Sequence, residues 1–217
     1  MTNDTDAALR RGSPSRVLAF SDGVFAIVIT ILVLEVGVPP DLAERPLEEA
    51  IERTGPELVA WVISFLLIGM YWVWHRDLFA QVRAVNRDVV WLNLLFLLPT
   101  SLIPFAASVL NEYPREAIAL RLYGLVLIAA ALLRFALYAY LMRRPELLWD
   151  ASSRRRRRIG GLLALAPVVV YLVAIAVASW APVLSLMLYL AMPGLYFALI
   201  TVLRQHPSTR AEADEFS

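Results

Sequence analysis

The chain has 217 residues, 59% of them hydrophobic and 18% charged, with a formal net charge of +1 and a mean hydropathy of +0.64. Soluble domains contain roughly 45 to 50% apolar residues, so this composition indicates an integral membrane protein. Six membrane-crossing helices of about 20 residues would use most of the length and leave no room for a soluble catalytic domain. The sequence contains no cysteine, which excludes disulfides, thiolate metal sites and cysteine nucleophiles.

Six apolar runs predict a single all-α membrane domain over residues 1–217, with six transmembrane helices and a polar C-terminal tail at 205–217. The runs lie at about 17–37, 57–75, 89–110, 117–142, 159–180 and 182–203. An even number of spans places both termini on one side, together with fifteen of the twenty arginines. By the positive-inside rule that side is cytoplasmic. We therefore expect a multi-pass protein of the plasma membrane with both termini in the cytoplasm.

The first run carries a carboxylate, Asp22, near the start of an otherwise apolar stretch. A charge inside a membrane-length segment is costly, so Asp22 requires a partner. Arg16 lies six residues earlier and about 120° around the helix, a spacing that disfavours a pair within one helix and indicates a partner on another. His75, at the end of the second run, and Asn93, near the start of the third, are candidates on the same side of the membrane.

These polar residues have two interpretations. The first is a structural network that fixes the first helix against the second and third, formed by Arg16, Phe20, Ser21, Asp22, His75, Trp91 and Asn93. The second is a proton-handling pair of Asp22 and His75, because a histidine beside a carboxylate titrates near physiological pH. In the first interpretation Asp22→Ala prevents assembly, since it leaves other members of a buried charged network unpaired. In the second the chain assembles and loses its pH dependence.

Further along the first helix, Ile27, Ile31 and Leu34 fall within about 60° of one another on a helical wheel. Ordinary packing against lipid or a neighbouring helix explains such a stripe, and so does the wall of a pore. One stripe cannot enclose a pore, so the second interpretation requires several copies in a closed ring. Thr30 lies beside the stripe, although threonines in membrane helices also bond back to their own helix. Glu35 marks the outer mouth, where it either draws cations or is simply solvated.

The sequence resembles a known family at this helix. The motif Arg16-x-x-x-Phe20-Ser21-Asp22, followed by Gly-Val-Phe-Ala-Ile and closed by Leu-Val-Leu-Glu35, is similar to the first-helix signature of the prokaryotic relatives of the endolysosomal transmembrane potassium channel. The six-span layout, His75, Asn93 and the Pro104-Phe105 pair are also similar to the family pattern.

The resemblance implies a potassium-permeable channel, a tetramer in bacteria, whose first helices surround the axis. It implies that the narrowest ring is Ile27, five positions after the motif aspartate, with Ile31 and Leu34 further out and Thr30 helping to shape the constriction. We expect no cofactor, with K⁺ as the permeant ion. The expected partners are further copies of the chain and the lipid bilayer. We expect neither nucleic acid nor a soluble protein partner.

An aliphatic constriction has a physical consequence for the ion. The chain lacks a Thr-Val-Gly-Tyr-Gly carbonyl filter, and aliphatic side chains cannot replace hydration oxygens. Since K⁺ loses water more easily than Na⁺, we expect modest K⁺ preference, slow conduction and closure when the ring dewets.

The alternative function is a proton-coupled or secondary transporter using Asp22 and His75, although such folds usually show internal repeats and none is evident. We expect no enzyme, because HExxH, GxSxG and P-loop motifs are missing.

Two basic features remain. Arg134 lies within the fourth run, where it either extends to the inner membrane surface or bonds to a neighbouring helix. The run Arg154–Arg158 is explained by a topology anchor or by recruitment of anionic lipid, at about 1 kcal/mol for each arginine near such a surface.

Overall fold

The computed structural model describes residues 13–35, 47–149 and 154–204, and these are nearly all helical. The helices are α1 (Pro14–Ile31, continued by a 3₁₀ turn at Leu32–Glu35), α2 (Leu47–Phe79), α3 (Arg87–Ser101), α4 (Ile103–Glu112), α5 (Ala117–Met142), α6 (Arg154–Val177) and α7 (Pro182–Arg204). The predicted all-α fold is confirmed. The predicted polar tail at 205–217 lies outside the described residues.

Within the described residues each of the six apolar runs is mostly helical, and α5 covers the same residues as the fourth run. Helix α2 is longer than its apolar run because it begins in a charged segment at Leu47. Within the described ranges, four helical stretches are long and apolar enough to cross a membrane: Pro14–Leu34, Arg87–Glu112, Ala117–Met142 and Gly160–Val177. A shorter apolar helix covers Pro182–Leu195.

The third run is broken into two helices. Pro99 lies inside α3, and Pro104 is the second residue of α4. A proline inside a helix removes a helical hydrogen bond and clashes with the preceding turn, whereas a proline in the first turn is tolerated. Leu102 joins the two helices, donating its N–H to the Pro99 carbonyl at 3.1 Å and accepting from Ala106 at 3.0 Å. The Thr100 hydroxyl donates to the Phe96 carbonyl at 2.9 Å. These bonds satisfy backbone groups that a break at membrane depth would otherwise expose.

Helix α5 lies at the centre of the bundle and packs against α3, α4, α6 and α7. Gly124 permits the close approach of α6 and α7, because a Cβ there would lie 2.2 Å from the Tyr189 hydroxyl and 2.6 Å from Ile175 Cγ1. The Tyr189 hydroxyl donates to the Leu120 carbonyl at 2.9 Å, which ties α7 to the α5 backbone. Helix α1 instead packs on one side of the bundle, against α2, α3 and α4.

Arg134 of α5 is buried, with 2% of its surface exposed. One guanidinium nitrogen donates to the Ala164 carbonyl of α6 at 2.7 Å, and the group lies 4.8 Å from the centroid of the Trp74 ring. Of the two alternatives raised by the sequence, Arg134 therefore bonds to neighbouring helices within the bundle.

Candidate functional site

Helix α1 has two different faces. Ser21, Phe25, Val28 and Leu32 are buried, at the four- and three-residue spacing of one helix face packed on the bundle. Ile27, Ile31 and Leu34 point away from this face, with 60%, 40% and 78% of their surface exposed in the single chain. The described chain therefore covers one face of α1 and leaves the aliphatic stripe open.

The partner of Asp22 is an indole. Trp72 of α2 donates its Nε1–H to the Asp22 carboxylate at 2.8 Å. The sequence indicated a partner on another helix but pointed to His75 and Asn93 rather than to Trp72. A usable signal was present: Trp72 precedes His75 by three residues, which places both on one face of α2.

A chain of hydrogen bonds connects α2, α3 and α1. The Asn93 amide donates to Ser21 Oγ at 2.9 Å, and the Ser21 hydroxyl donates to the Val17 carbonyl at 2.8 Å. With its NH₂ group used in this way, Asn93 presents its oxygen to His75 Nε2 at 2.7 Å. An amide oxygen only accepts, so His75 carries its proton on Nε2. The structure therefore brings together Ser21, His75 and Asn93, three of the predicted network residues.

His75 is fully buried among aromatic rings. Its ring centroid lies 4.5 Å from that of Phe79, 5.7 Å from that of Phe25 and 6.0 Å from that of Phe96. Its Nδ1 atom has no hydrogen-bond partner among the described residues. A second proton on Nδ1 would place a donor without an acceptor in an apolar site, which is costly. Since Asp22 bonds Trp72 and His75 bonds Asn93, this geometry supports a structural network rather than a proton-handling pair.

Three of the predicted network residues lie outside this buried cluster. Phe20 and Trp91 are each 55% exposed, and Arg16 is exposed. Within the described part of the chain, no hydrogen bond or ion pair joins Arg16 to the cluster. On the helical wheel Arg16 and Phe20 fall within about 20° of Ile27, so they extend the open stripe toward the arginine-rich end of the bundle. That signal was available in the sequence.

The two remaining candidates on α1 are polar. The Thr30 hydroxyl lies 2.9 Å from the Ile27 carbonyl and 3.0 Å from the Ala26 carbonyl, and it shares its proton between them. It therefore bonds back to its own helix. Glu35 ends the 3₁₀ turn, and its side chain lies outside the described residues.

The open stripe borders a groove of about 360 Å³ between α1 and the break in the third span. Val24, Ile27, Val28 and Ile31 line one wall, and Ser101, Pro104, Phe105 and Ser108 line the other. The break at Leu102 thus faces the aliphatic part of α1. Over the described ranges, no group of three or more histidine, aspartate or glutamate side chains is placed to hold a metal ion.

The fold and this site define an α-helical, multi-span membrane protein with a first helix clamped on one face and aliphatic on the other. The family model described as endosomal/lysosomal potassium channel TMEM175 matches residues 16–104. A Streptomyces collinus protein named as a potassium channel is 41% identical over 151 residues, which cover 66% of this chain and 73% of that relative. The chain belongs to the TMEM175 family.

A solved structure and the human relative extend the comparison. The crystal structure of a lysosomal potassium-selective channel TMEM175 homolog from Chamaesiphon minutus superposes with a TM-score of 0.74 at 29% identity, covering 86% of this chain and 96% of that one. The human endosomal/lysosomal proton channel TMEM175 is 38% identical over 112 residues, which are 48% of this chain and 22% of the human protein. These relatives are ion channels, and the chain is not an enzyme.

Proposed function

We propose that several copies of this chain, four as the family resemblance implies, assemble around a common axis into a potassium-permeable channel. The first helix of each copy lines the pore, with Ile27 at the narrowest point and Ile31 and Leu34 beyond it. The names of the Streptomyces and Chamaesiphon relatives support potassium as the permeant ion. We place the protein in the plasma membrane, and the arginine distribution supports both termini in the cytoplasm.

The observation that carries the proposal is the fixed rotation of α1. Asp22 bonds to Trp72 of α2 and Ser21 bonds to Asn93 of α3, and we call these two bonds the clamp. With α1 held by the clamp, Ile27 is 60% exposed. A helix held in this way presents a constant row of side chains to its neighbours. A ring of such rows is a closed solution for identical subunits.

The chemistry of the row sets the expected selectivity. The Thr30 hydroxyl is engaged by its own helix, so the wall at this level offers mainly aliphatic atoms. Aliphatic atoms do not replace the water that an ion loses, and the more weakly hydrated K⁺ crosses at lower cost than Na⁺. An apolar ring also closes by dewetting without any movement of charged groups.

The test is ion flux in liposomes containing the purified chain. Ile27→Asn adds a polar group to the ring and should raise Na⁺ flux relative to K⁺ flux. The matched control is Leu125→Asn on α5, since Leu125 is 58% exposed and the proposal places α1 rather than α5 around the pore. Equal permeability ratios for the wild type and Ile27→Asn would remove Ile27 from the constriction.

The same assay addresses the transporter alternative. A channel passes ions down either gradient without a proton gradient, whereas a coupled carrier using Asp22 and His75 would stall without one. The separate hydrogen bonds of these two residues, to Trp72 and Asn93, support the channel.

A further inference from the structure

Two connections are hydrogen-bonded to each other at the arginine-rich end of the bundle, the end that carries Arg83, Arg87, Arg143 and Arg144. The α2–α3 and α5–α6 connections form an isolated antiparallel bridge at Val82 and Leu148. The Arg83 N–H donates to the Leu147 carbonyl at 2.7 Å, and the Trp149 N–H donates to the Gln81 carbonyl at 3.0 Å. The tie holds two side chains side by side, with the Arg83 guanidinium 5.8 Å from the centroid of the Trp149 ring.

This pair has the chemistry of a lipid headgroup site. Trp149 is 70% exposed, and an exposed indole at the end of membrane spans lies at the level of the headgroups. Arg83 is also exposed, and within the described ranges it forms no ion pair with an acidic side chain. A guanidinium beside an indole has N–H groups that can donate to the oxygens of a phosphate.

The charge around the pair is strongly positive. Arg76 and Arg144 are each offset by a neighbouring acid, at 3.2 Å from Asp77 and 3.6 Å from Glu146. No such ion pair joins Arg143 to a described acidic residue. Among the described residues, Arg83 and Arg143 therefore contribute positive charge beside an exposed indole and form no ion pair with an acidic side chain.

The start of α6 follows Trp149 by five residues along the chain and is also basic. The first five residues of α6 are the run Arg154–Arg158, and its first turn contains no acidic residue. A helix N-terminus carries a partial positive charge of its own, so cations there oppose the helix dipole. Anions from outside the first turn would therefore offset an unfavourable charge–dipole interaction.

We propose that this end of the bundle binds the phosphate groups of anionic phospholipids. Arg83 donates to the phosphate while Trp149 packs beside it in the headgroup layer, and the charge of the α6 start adds to the attraction. The proposal goes beyond ion permeation and does not depend on the pore assignment.

The test is thermal unfolding of the full chain in neutral detergent, titrated with short-chain phosphatidylglycerol or phosphatidylcholine. Wild type should be stabilised more by phosphatidylglycerol. Arg83→Gln should require about fivefold more phosphatidylglycerol for the same shift, the loss expected for one arginine at an anionic surface. The control is Arg115→Gln, an exposed arginine in the connection between α4 and α5 at the opposite end, which should titrate like wild type.

A second variant tests the role of the helix start. Replacing Arg154–Arg158 with glutamine should abolish most of the phosphatidylglycerol effect while leaving the unfolding temperature in phosphatidylcholine unchanged or raised, because the opposition to the helix dipole is removed. A mere topology anchor would not change the lipid dependence.

Three results would overturn the proposal. They are equal stabilisation of wild type by the two lipids, equal losses in Arg83→Gln and Arg115→Gln, and an equal effect from inorganic phosphate at the same concentration, which would indicate a site for free anions. If Arg83→Gln fails to fold, native mass spectrometry of wild type in an equal mixture of the lipids decides. Enrichment of retained phosphatidylglycerol supports the site, and its lack contradicts it.

Discussion

The hydrogen bond between His75 and Asn93 gives a prediction whose magnitude follows from burial. Asn93→Leu removes the acceptor of the His75 Nε2–H, and both residues are at most 1% exposed. Ser21 keeps its own bond to the Val17 carbonyl, so the orphaned group is the imidazole N–H. A buried donor left without an acceptor costs about 1 to 3 kcal/mol. The unfolding temperature should fall by several degrees.

The double variant separates this cause from general damage. In His75→Phe/Asn93→Leu neither partner needs a hydrogen bond, and the new phenyl ring would lie among Phe25, Phe79 and Phe96. Replacing both partners by apolar groups of similar shape is close to neutral. We therefore expect most of the loss caused by Asn93→Leu to be recovered.

Thermal unfolding in neutral detergent, measured for the wild type, both single variants and the double variant, gives the coupling energy of the pair. A coupling of about 1 to 3 kcal/mol supports the reasoning. If the two single losses simply add, the orphaned donor is not the cause and the argument from the tautomer of His75 fails.

Two further predictions use variants with matched controls. Gly124→Ala should lower the free energy of unfolding by about 1 to 3 kcal/mol, because the added Cβ would overlap Tyr189. In the same unfolding assay Gly69→Ala should raise it by up to about 1 kcal/mol, because a Cβ there meets nothing within 4 Å and alanine has the higher helix propensity. Because the chain has no cysteine, Ile27→Cys should yield disulfide-linked dimers on mild oxidation and Leu125→Cys should not. Equal cross-linking of the two cysteines on a non-reducing gel would argue against Ile27 facing its counterparts.

The sequence predicted the helices well where composition changes sharply. The bounds of α5 match a mostly apolar run, which contains Arg121 and Arg134, between Glu116 and Arg143. Pro99 and Pro104 indicate kinks within the third run, and the break at Leu102 lies between them. The charged start of α2 was not predicted, since only its later part is apolar.

The sequence predicted part of the candidate site, where residue type alone indicates hydrogen bonding. Hydrogen-bonding residue types suggested Ser21, His75 and Asn93, and these residues are joined. Trp72 was overlooked because its polarity is a single N–H on a large apolar ring. Phe20 was grouped with the polar residues through its place in the motif, although its position on the helical wheel is that of Ile27. Position on a helix face was therefore a better guide than adjacency in the motif.

The clamp and the stripe are coupled through the geometry of one helix. Asp22 and Ile27 lie about 140° apart around α1, so any rotation that carries Ile27 away from its outward direction also pulls Asp22 from Trp72. The polar bonds lie near the start of the helix, and the aliphatic stripe occupies the following turns, where it borders the broken third span. Polar groups thus set the direction of the helix while apolar groups form the surface it presents. It follows that variants of the clamp should change ion passage without altering any side chain of the stripe.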